Sequence, residues 1–350
     1  MSGGVDSSAA AAILLEQGYD VSGCTLRLSP RKTEDGGCCS MNDVYDAKSV
    51  CRKLGIDHYT FNMKDSFEEY VMRPFAESYI HGKTPNPCIL CNKHIKFDLM
   101  LKRAELLGFD RIATGHYAGV RFNEKTGKYS LVRSEDMKKD QTYVLYSLTQ
   151  EQLSKTLFPL SGITKEEVRK LADKYGFVNS DKPDSQDICF VPDGDHAGFI
   201  CGYTGYSPCE GNFTDSDGNI LGKHGGIIKY TIGQRRGLGV TFGKPVFVTE
   251  KNAENNTVVL GSEEELMSSV IYLKDVNIIS GEHLGTGMQV TAKTRYSARE
   301  QQAAVYPLAG GRARVEFTSP VRAAAPGQAC VFYSGQETLG GGSIEYTEKL

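Results

Sequence analysis

The sequence predicts an α/β chain in three parts: a parallel-sheet domain over 1–205, a small central β-rich domain over 206–268 and a C-terminal β-barrel over 269–350. Three observations predict it. The first half alternates short β-rich runs with helical periodicity, the pattern of parallel strands covered by helices. After about residue 205, turns such as Asp217-Gly218-Asn219 become frequent between short β runs. From 288 onward, apolar and polar residues alternate with period two, as in antiparallel sheet with one wet face.

The elements follow in order. Ser2-Gly3-Gly4-Val5-Asp6-Ser7-Ser8 is a glycine-rich turn that opens a helix, with Asp6 and Ser7 as caps, Ala10, Ile13 and Leu14 on its apolar face and Gly18 as its stop. No strand signal precedes this turn, so the domain is expected to have its first strand upstream or to lack it. Residues 21–28 read as a strand. Residues 42–54 read as a helix burying Val44, Ala47, Cys51 and Leu54, with Gly55 just past its end. A strand over 58–62, helices over 64–79 and 92–107 and a strand over 110–114 come next. Thr164 and Glu167 form a capping box for a helix burying Val168, Leu171, Ala172 and Tyr175. In the barrel, Val290, Ala292, Thr294 and Tyr296 share one face of a strand and Gln289, Thr291, Lys293 and Arg295 the other. Ala313, Val315 and Phe317 point inward on another strand.

Composition restricts the class. Hydrophobic content of 40% and charged content of 24% over 350 residues describe a chain able to build full cores. No apolar run approaches the roughly 18 residues of a membrane helix, and no signal peptide precedes the loop. A cytoplasmic protein without membrane attachment is expected, whose ten cysteines serve catalysis or metal binding rather than structural disulfides. A net charge of −3 neither requires nor excludes nucleic acid, because a local basic surface is enough.

The opening loop presents backbone N–H groups and a helix N-terminus to an anion. The Walker phosphate loop carries a lysine on the β/γ-phosphates, and this loop has none. Holding pyrophosphate while the α-phosphate is attacked suits such a cradle. The bland alternative is a glycine-rich turn before an ordinary helix. Among the cysteines, Cys88 and Cys91 sit in Pro85-Asn86-Pro87-Cys88-Ile89-Leu90-Cys91-Asn92. With Asn92 as cap, Cys91 would lie at a helix N-terminus, where the dipole favours an exposed thiolate. Half of a metal site is the alternative, but no second Cys-x-x-Cys accompanies it. Cys189, between Ile188 and Phe190, reads in isolation as a core residue. Cys24, Cys51 and Cys330 lie on apolar faces and read as packing. Cys38 and Cys39 receive no role.

Several segments together resemble one family, the bacterial tRNA-specific 2-thiouridylases of the ATP pyrophosphatase (PP-loop) class. They are the 2–8 loop, Thr84-Pro85-Asn86-Pro87, Cys91-Asn92-Lys93, Ala113-Thr114-Gly115-His116-Tyr117, Lys139-Asp140-Gln141-Thr142-Tyr143, Ile188-Cys189-Phe190, the run 230–238, Arg295-Tyr296 and Ala325-Pro326-Gly327-Gln328. They occur in order along nearly the entire chain. The resemblance implies an adenine nucleotide alpha hydrolase-like (PP-loop) domain, a central domain and a C-terminal β-barrel.

The resemblance also implies a reaction. ATP with Mg²⁺ adenylates O2 of the wobble uridine of tRNA, and a persulfide on Cys189 delivers sulfur to C2. Cys91 supplies the second thiol, leaving a transient Cys91–Cys189 disulfide. The products are 2-thiouridine, AMP and pyrophosphate, and no resident metal is implied. By position, Met1, Ser2, Gly3, Gly4, Val5, Asp6, Ser7, Leu26 and Gly115 match ATP-contacting residues. Asn86, Pro87 and Cys88 match the segment at the target base. His116, Lys139, Asp140, Gln141, Arg295, Tyr296 and Gln328 match tRNA-contacting residues, with Lys139 and Arg295 as phosphate partners and Tyr296 as a stacking ring. The implied partners are tRNA and a sulfur donor such as a cysteine desulfurase or a sulfur-relay protein. Some relatives carry aspartate where Cys88 stands, so a carboxylate base is not expected there. Two rivals are a GMP-synthetase-like ligase and a zinc-holding RNA-binding module. The paired Cys91 and Cys189 argue against the first, and metal content tests the second.

Overall fold

Parallel pairing organises the N-terminal part. In the computed structural model, which describes residues 1–28, 41–183, 187–240, 243, 245–281 and 284–349, strand β1 (Gly23–Arg27) runs parallel to β2 (His58–Asn62). Helix α1 (Val5–Glu16) precedes this pair and α2 (Met41–Leu54) connects its strands. Val44, Ala47 and Cys51 of α2 are buried as the periodicity requires, together with Val50. The Met1 backbone lies along β1: its amino group donates to the Cys24 carbonyl, and Thr25 Oγ1 donates to the Met1 carbonyl. A second parallel pair joins β3 (Ile112–Ala113) to β6 (Thr156–Leu157). Cys38 and Cys39 lie outside the described residues.

Two long helices carry π-type turns. Helix α3 (64–80) widens over Glu68–Met72, and α4 (87–106) widens over Cys91–Leu99. Such turns are rare and gather at functional sites. Helix α5 (Lys165–Lys174) begins with the predicted capping box: Thr164 Oγ1 accepts from the Glu167 N–H, and Glu167 Oε2 accepts from the Thr164 N–H at 2.7 Å. Thr164→Ala is expected to lower stability by about 1 kcal/mol, read as a shift of the thermal midpoint, and an unchanged midpoint would contradict it.

A four-stranded sheet forms the middle of the chain, in the order β8 (Ile220–His224), β7 (Gly211–Thr214), β10 (Thr257–Gly261), β9 (Phe247–Asn252). Beyond it, β11 (Met267–Ile278), β14 (Arg312–Arg322), β13 (Gln301–Leu308), β12 (Met288–Lys293), β15 (Ala329–Ser334) and β16 (Glu337–Lys349) pair antiparallel. Pairing of β11 with β16 closes them into a six-stranded barrel. Ile271, Leu273, Val290, Ala292, Ala313, Val315 and Phe317 fill its interior. The alternation fails at its end: β12 stops at Lys293, so Thr294 is still buried but Tyr296 is 43% exposed rather than inward.

One pairing has no counterpart in the sequence reading. The hairpin β4 (Ala118–Asn123) and β5 (Lys128–Arg133) from the N-terminal part adds to the outside edge of β16, through Glu337 opposite Val132 and Thr338 opposite Leu131. Arg121 forms an ion pair with Glu337 across the same junction.

Candidate active site

The glycine loop adopts a compact turn whose shape depends on two glycines. Gly3 has φ +75°, and a Cβ there would stand 2.6 Å from the Asp43 carbonyl oxygen. Gly115 needs to be bare for a different reason: a Cβ would stand 2.7 Å from the Asp6 carbonyl carbon and 2.8 Å from the Ser7 nitrogen. The 114–117 segment therefore lies directly on the first turn of α1. The caps differ from expectation. Gly4 is the N-cap and no side chain caps the helix. Ser7 Oγ instead donates to the Gly4 carbonyl and accepts from the Ser2 N–H, tightening the turn. The Asp6 carboxylate accepts from Tyr117 Oη at 2.9 Å and from Lys165 Nζ at 2.7 Å.

Two lysines reach a loop that has none of its own. Lys165, the first residue of α5, is the one on Asp6. Lys182 Nζ lies 2.6 Å from Asp43 Oδ1, 3.0 Å from Asp46 Oδ2 and 3.3 Å from the Gly3 carbonyl. Burial alone would lower the Lys182 pKa, but its bonds to Asp43 and Asp46 outweigh that and raise it. Asn179 Nδ2 bonds the same Gly3 carbonyl and Ser8 Oγ, both at 3.0 Å. Sequence reasoning missed all three residues. Only Lys165 had a signal, since the capping box fixes it as the first helical residue. Leu26, on β1, packs where two apolar clusters meet.

The cysteine-bearing helix starts earlier than expected. Asn86, not Asn92, is the N-cap, its Oδ1 accepting from the Cys88 N–H at 3.1 Å, and Pro87 occupies the first helical position. Asn92 is buried within the helix, donating to the Val144 carbonyl. The exposed thiol in the first turn is consequently Cys88, whereas Cys91 is buried where the π turn begins. The two thiols, three residues apart, occupy different environments, which disfavours a shared metal half-site. Cys91 belongs to a cluster of apolar residues against which the half-buried Cys189 packs, with Phe190 and Val191 inside it. None of the eight described cysteines is in a disulfide. Cys24 and Cys330 are raised by burial, Cys24 to about 11, which fits packing roles.

Both β units hold the strand of chain leading into this helix. Thr84 donates its N–H to the Pro326 carbonyl at 2.8 Å, its carbonyl accepts from Gln328 Nε2 at 2.8 Å, and the Lys83 carbonyl accepts from Lys251 Nζ. Gln328 thus points at the chain itself. Arg295 does the same, donating to the Ala323 carbonyl through Nε and to the Ile232 carbonyl through Nη2 at 2.8 Å, with its pKa lowered by burial. Arg295→Ala is expected to cost about 2 kcal/mol of stability, the scale of a charged hydrogen-bond donor lost. Denaturant titration checks this, and wild-type stability would contradict it.

The remaining candidates divide by exposure. His116 is buried between Phe97 and Phe158, its Nδ1 2.8 Å from Thr114 Oγ1, and burial followed by Lys96 holds its pKa well below the usual value. In this state the ring is packed in the core. Gln141 Oε1 accepts from the Tyr117 N–H, fixing the segment above the loop. Asp140 is raised by burial although Thr142 Oγ1 and the Ser134 N–H both donate to it. Tyr296 stands open, edge-on to Tyr143, with Lys293 Nζ 5.8 Å from its ring centre and Lys139, Asp140 and Cys88 in electrostatic range. An exposed ring beside two lysines and a helix-start thiol can stack a base and meet phosphate.

Comparison with known proteins covers the chain in three stretches. Residues 1–193 match the family described as the tRNA methyl transferase HUP domain. Residues 197–262 match the tRNA methyl transferase PRC-barrel domain, and 268–344 the aminomethyltransferase beta-barrel domain. The tRNA-specific 2-thiouridylase MnmA of Acetivibrio thermocellus is 51% identical over 350 residues, covering 99% of this chain and 98% of that protein. That of Clostridium botulinum is 48% identical, covering 99% and 96%. Solved structures align more loosely. The U34-tRNA thiolase NcsA from Methanococcus maripaludis is 20% identical, covering 59% of this chain and 62% of that one, with a TM-score of 0.33.

Proposed function

The chain belongs to the tRNA-specific 2-thiouridylase family, and on that premise we propose that it replaces O2 of the wobble uridine of tRNA by sulfur in an ATP-dependent reaction. The observation that carries the mechanism is that Cys91 and Cys189, far apart in sequence, belong to one apolar cluster in a molecule that also bears the lysine-free phosphate loop. In the proposed sequence, uridine O2 attacks the α-phosphate of ATP and pyrophosphate leaves from the loop. The terminal sulfur of a Cys189 persulfide attacks C2, and AMP departs with the C2–O2 bonding pair. The Cys91 thiolate then attacks Cys189 Sγ, the S–S bond breaks toward the nucleoside, and 2-thiouridine is released. The two thiols end as a disulfide, which a dithiol reductant reopens. Splitting one hard substitution into activation and displacement is the general gain of covalent catalysis.

This chain's residues have defined parts in that reading. The α1 N-terminus and the 2–5 backbone receive the phosphates, and Gly115 allows Tyr117 to sit on Asp6. Asn86 and the Thr84 bonds hold the Cys88–Cys91 turn, and Tyr296 with Lys139 and Lys293 faces the anticodon strand. Asp6 and Asp43 offer hard carboxylate oxygens at the loop mouth, a donor set that fits Mg²⁺ held by one or two carboxylates plus substrate phosphates. The ion would offset nucleotide charge there. The sulfur source is proposed to be a desulfurase or relay protein. Incubating the protein with ATP, Mg²⁺, unmodified tRNA and a cysteine desulfurase with cysteine, whose persulfide passes its outer sulfur to Cys189 as the donor thiol leaves, should yield 2-thiouridine. AMP and pyrophosphate without thiolated nucleoside would count against the persulfide reading, and no nucleotide turnover would reject the whole.

A further inference from the structure

We propose that Lys182 is the phosphate-binding lysine of this site, supplied from the segment that carries Cys189 in place of the lysine that the loop lacks. The inference rests on the reading above, that the loop binds ATP and releases pyrophosphate. Pyrophosphate leaves with charge growing on its bridging and β-phosphate oxygens, and a fixed ammonium there stabilises departure. In a Walker loop the lysine is local. Among the described residues, three carboxylates at the loop, Asp6, Asp43 and Asp46, are bonded by two ammonium groups, Lys165 and Lys182. Lys165 is committed to Asp6. Lys182 is held by the two α2 carboxylates with its longest contact, 3.3 Å, to the Gly3 carbonyl at the loop itself. An arriving phosphate oxygen would take that weakest contact without moving the lysine from its carboxylates.

A second observation points to a ligand at the same place. Asn179, only 2% exposed, spends Nδ2 on Gly3 and Ser8 while its buried Oδ1 has no hydrogen-bond partner among the described residues. Buried orphan acceptors are uncommon, and a nucleotide hydroxyl or an ion-bound water would satisfy this one. Asn179 and Lys182 form a two-residue clasp on one carbonyl of the phosphate loop. The clasp lies a short stretch before Cys189 in the chain. Nucleotide occupancy and the seating of the sulfur-bearing segment would therefore share a contact.

The test is equilibrium binding of Mg²⁺-pyrophosphate, ATP and AMP to the full chain by calorimetry. Lys182→Met should weaken pyrophosphate and ATP at least about tenfold, one lost charge-assisted contact, while AMP binds as to wild type. Lys182→Arg should recover part of the loss. Asp46→Asn, which frees a donor of Lys182, should tighten pyrophosphate binding. Equal pyrophosphate affinity in Lys182→Met overturns the inference, as does a parallel loss for AMP, which a merely structural role would produce. Should Lys182→Met fail to fold, Asp46→Asn decides, and no tightening overturns the proposal. Wild-type protein that binds neither pyrophosphate nor ATP would instead remove the premise.

Discussion

Cys189→Ser is expected to reduce 2-thiouridine formation to background while pyrophosphate release on ATP and tRNA continues. An alkoxyl oxygen cannot carry a sulfane sulfur, so loading and transfer fail together, while the adenylation step of the proposed sequence uses other residues. Cys91→Ser should behave differently: sulfur still loads on Cys189, and the enzyme stalls before release. The buried position of Cys91 makes the serine variant less stable by about 1–3 kcal/mol, the cost of placing an unpaired hydroxyl in an apolar cluster. Stability must accordingly be measured beside turnover. Cys88→Ser should be milder than either, since its thiol is exposed and lies outside that cluster. Thiol trapping with mass spectrometry after a single turnover separates these outcomes. A Cys88–Cys91 disulfide with Cys189 unmodified throughout would sink the assignment.

Gly115→Ala should be nearly as damaging by a purely steric route. The new methyl would stand 2.7–2.9 Å from three backbone atoms of Asp6 and Ser7, none of which is the movable end of a side chain. Either α1 or the 114–117 segment must shift, at about 1–3 kcal/mol for a clash of this kind. The displaced element is the phosphate cradle, so ATP affinity should fall at least about tenfold with the helix content retained. Gly108→Ala is the control: a Cβ there meets nothing within 4 Å, and only its φ of +83° is strained. Equal ATP affinity in Gly115→Ala and wild type would refute the close-approach argument.

Much of this was legible in the sequence wherever a local signal existed. Strand β2 and the Thr164 capping box follow from periodicity and cap chemistry over a few residues. The start of α4 was also written locally, in Asn86-Pro87, an N-cap followed by proline at the first helical position; Asn92 competed as a cap because nothing in its neighbours announces that it is buried. The lysines on the phosphate loop were not legible, because Lys165 meets Asp6 across 159 residues and Lys182 meets Gly3 across 179. The surroundings of Arg295 were not legible for a related reason. Strand alternation places it opposite the barrel interior, but that side is covered by the middle of the chain, whose Ile232 carbonyl takes its guanidinium.

The edge pairing between β5 and β16 has a consequence for synthesis. Arg121 and Glu337, which meet at this seam, are 216 residues apart, so the hairpin leaves the ribosome long before its second neighbour exists. Until then the outer side of residues 131–133 is an unsatisfied stretch of backbone donors and acceptors, able to recruit any other strand. Translation at about 5–20 residues per second leaves that edge open for tens of seconds. Chaperone demand and misassembly should consequently track the interval between the two strands rather than the stability of the finished protein. A slow-codon stretch inserted between them should lower soluble yield without altering the thermal midpoint of the molecules that survive.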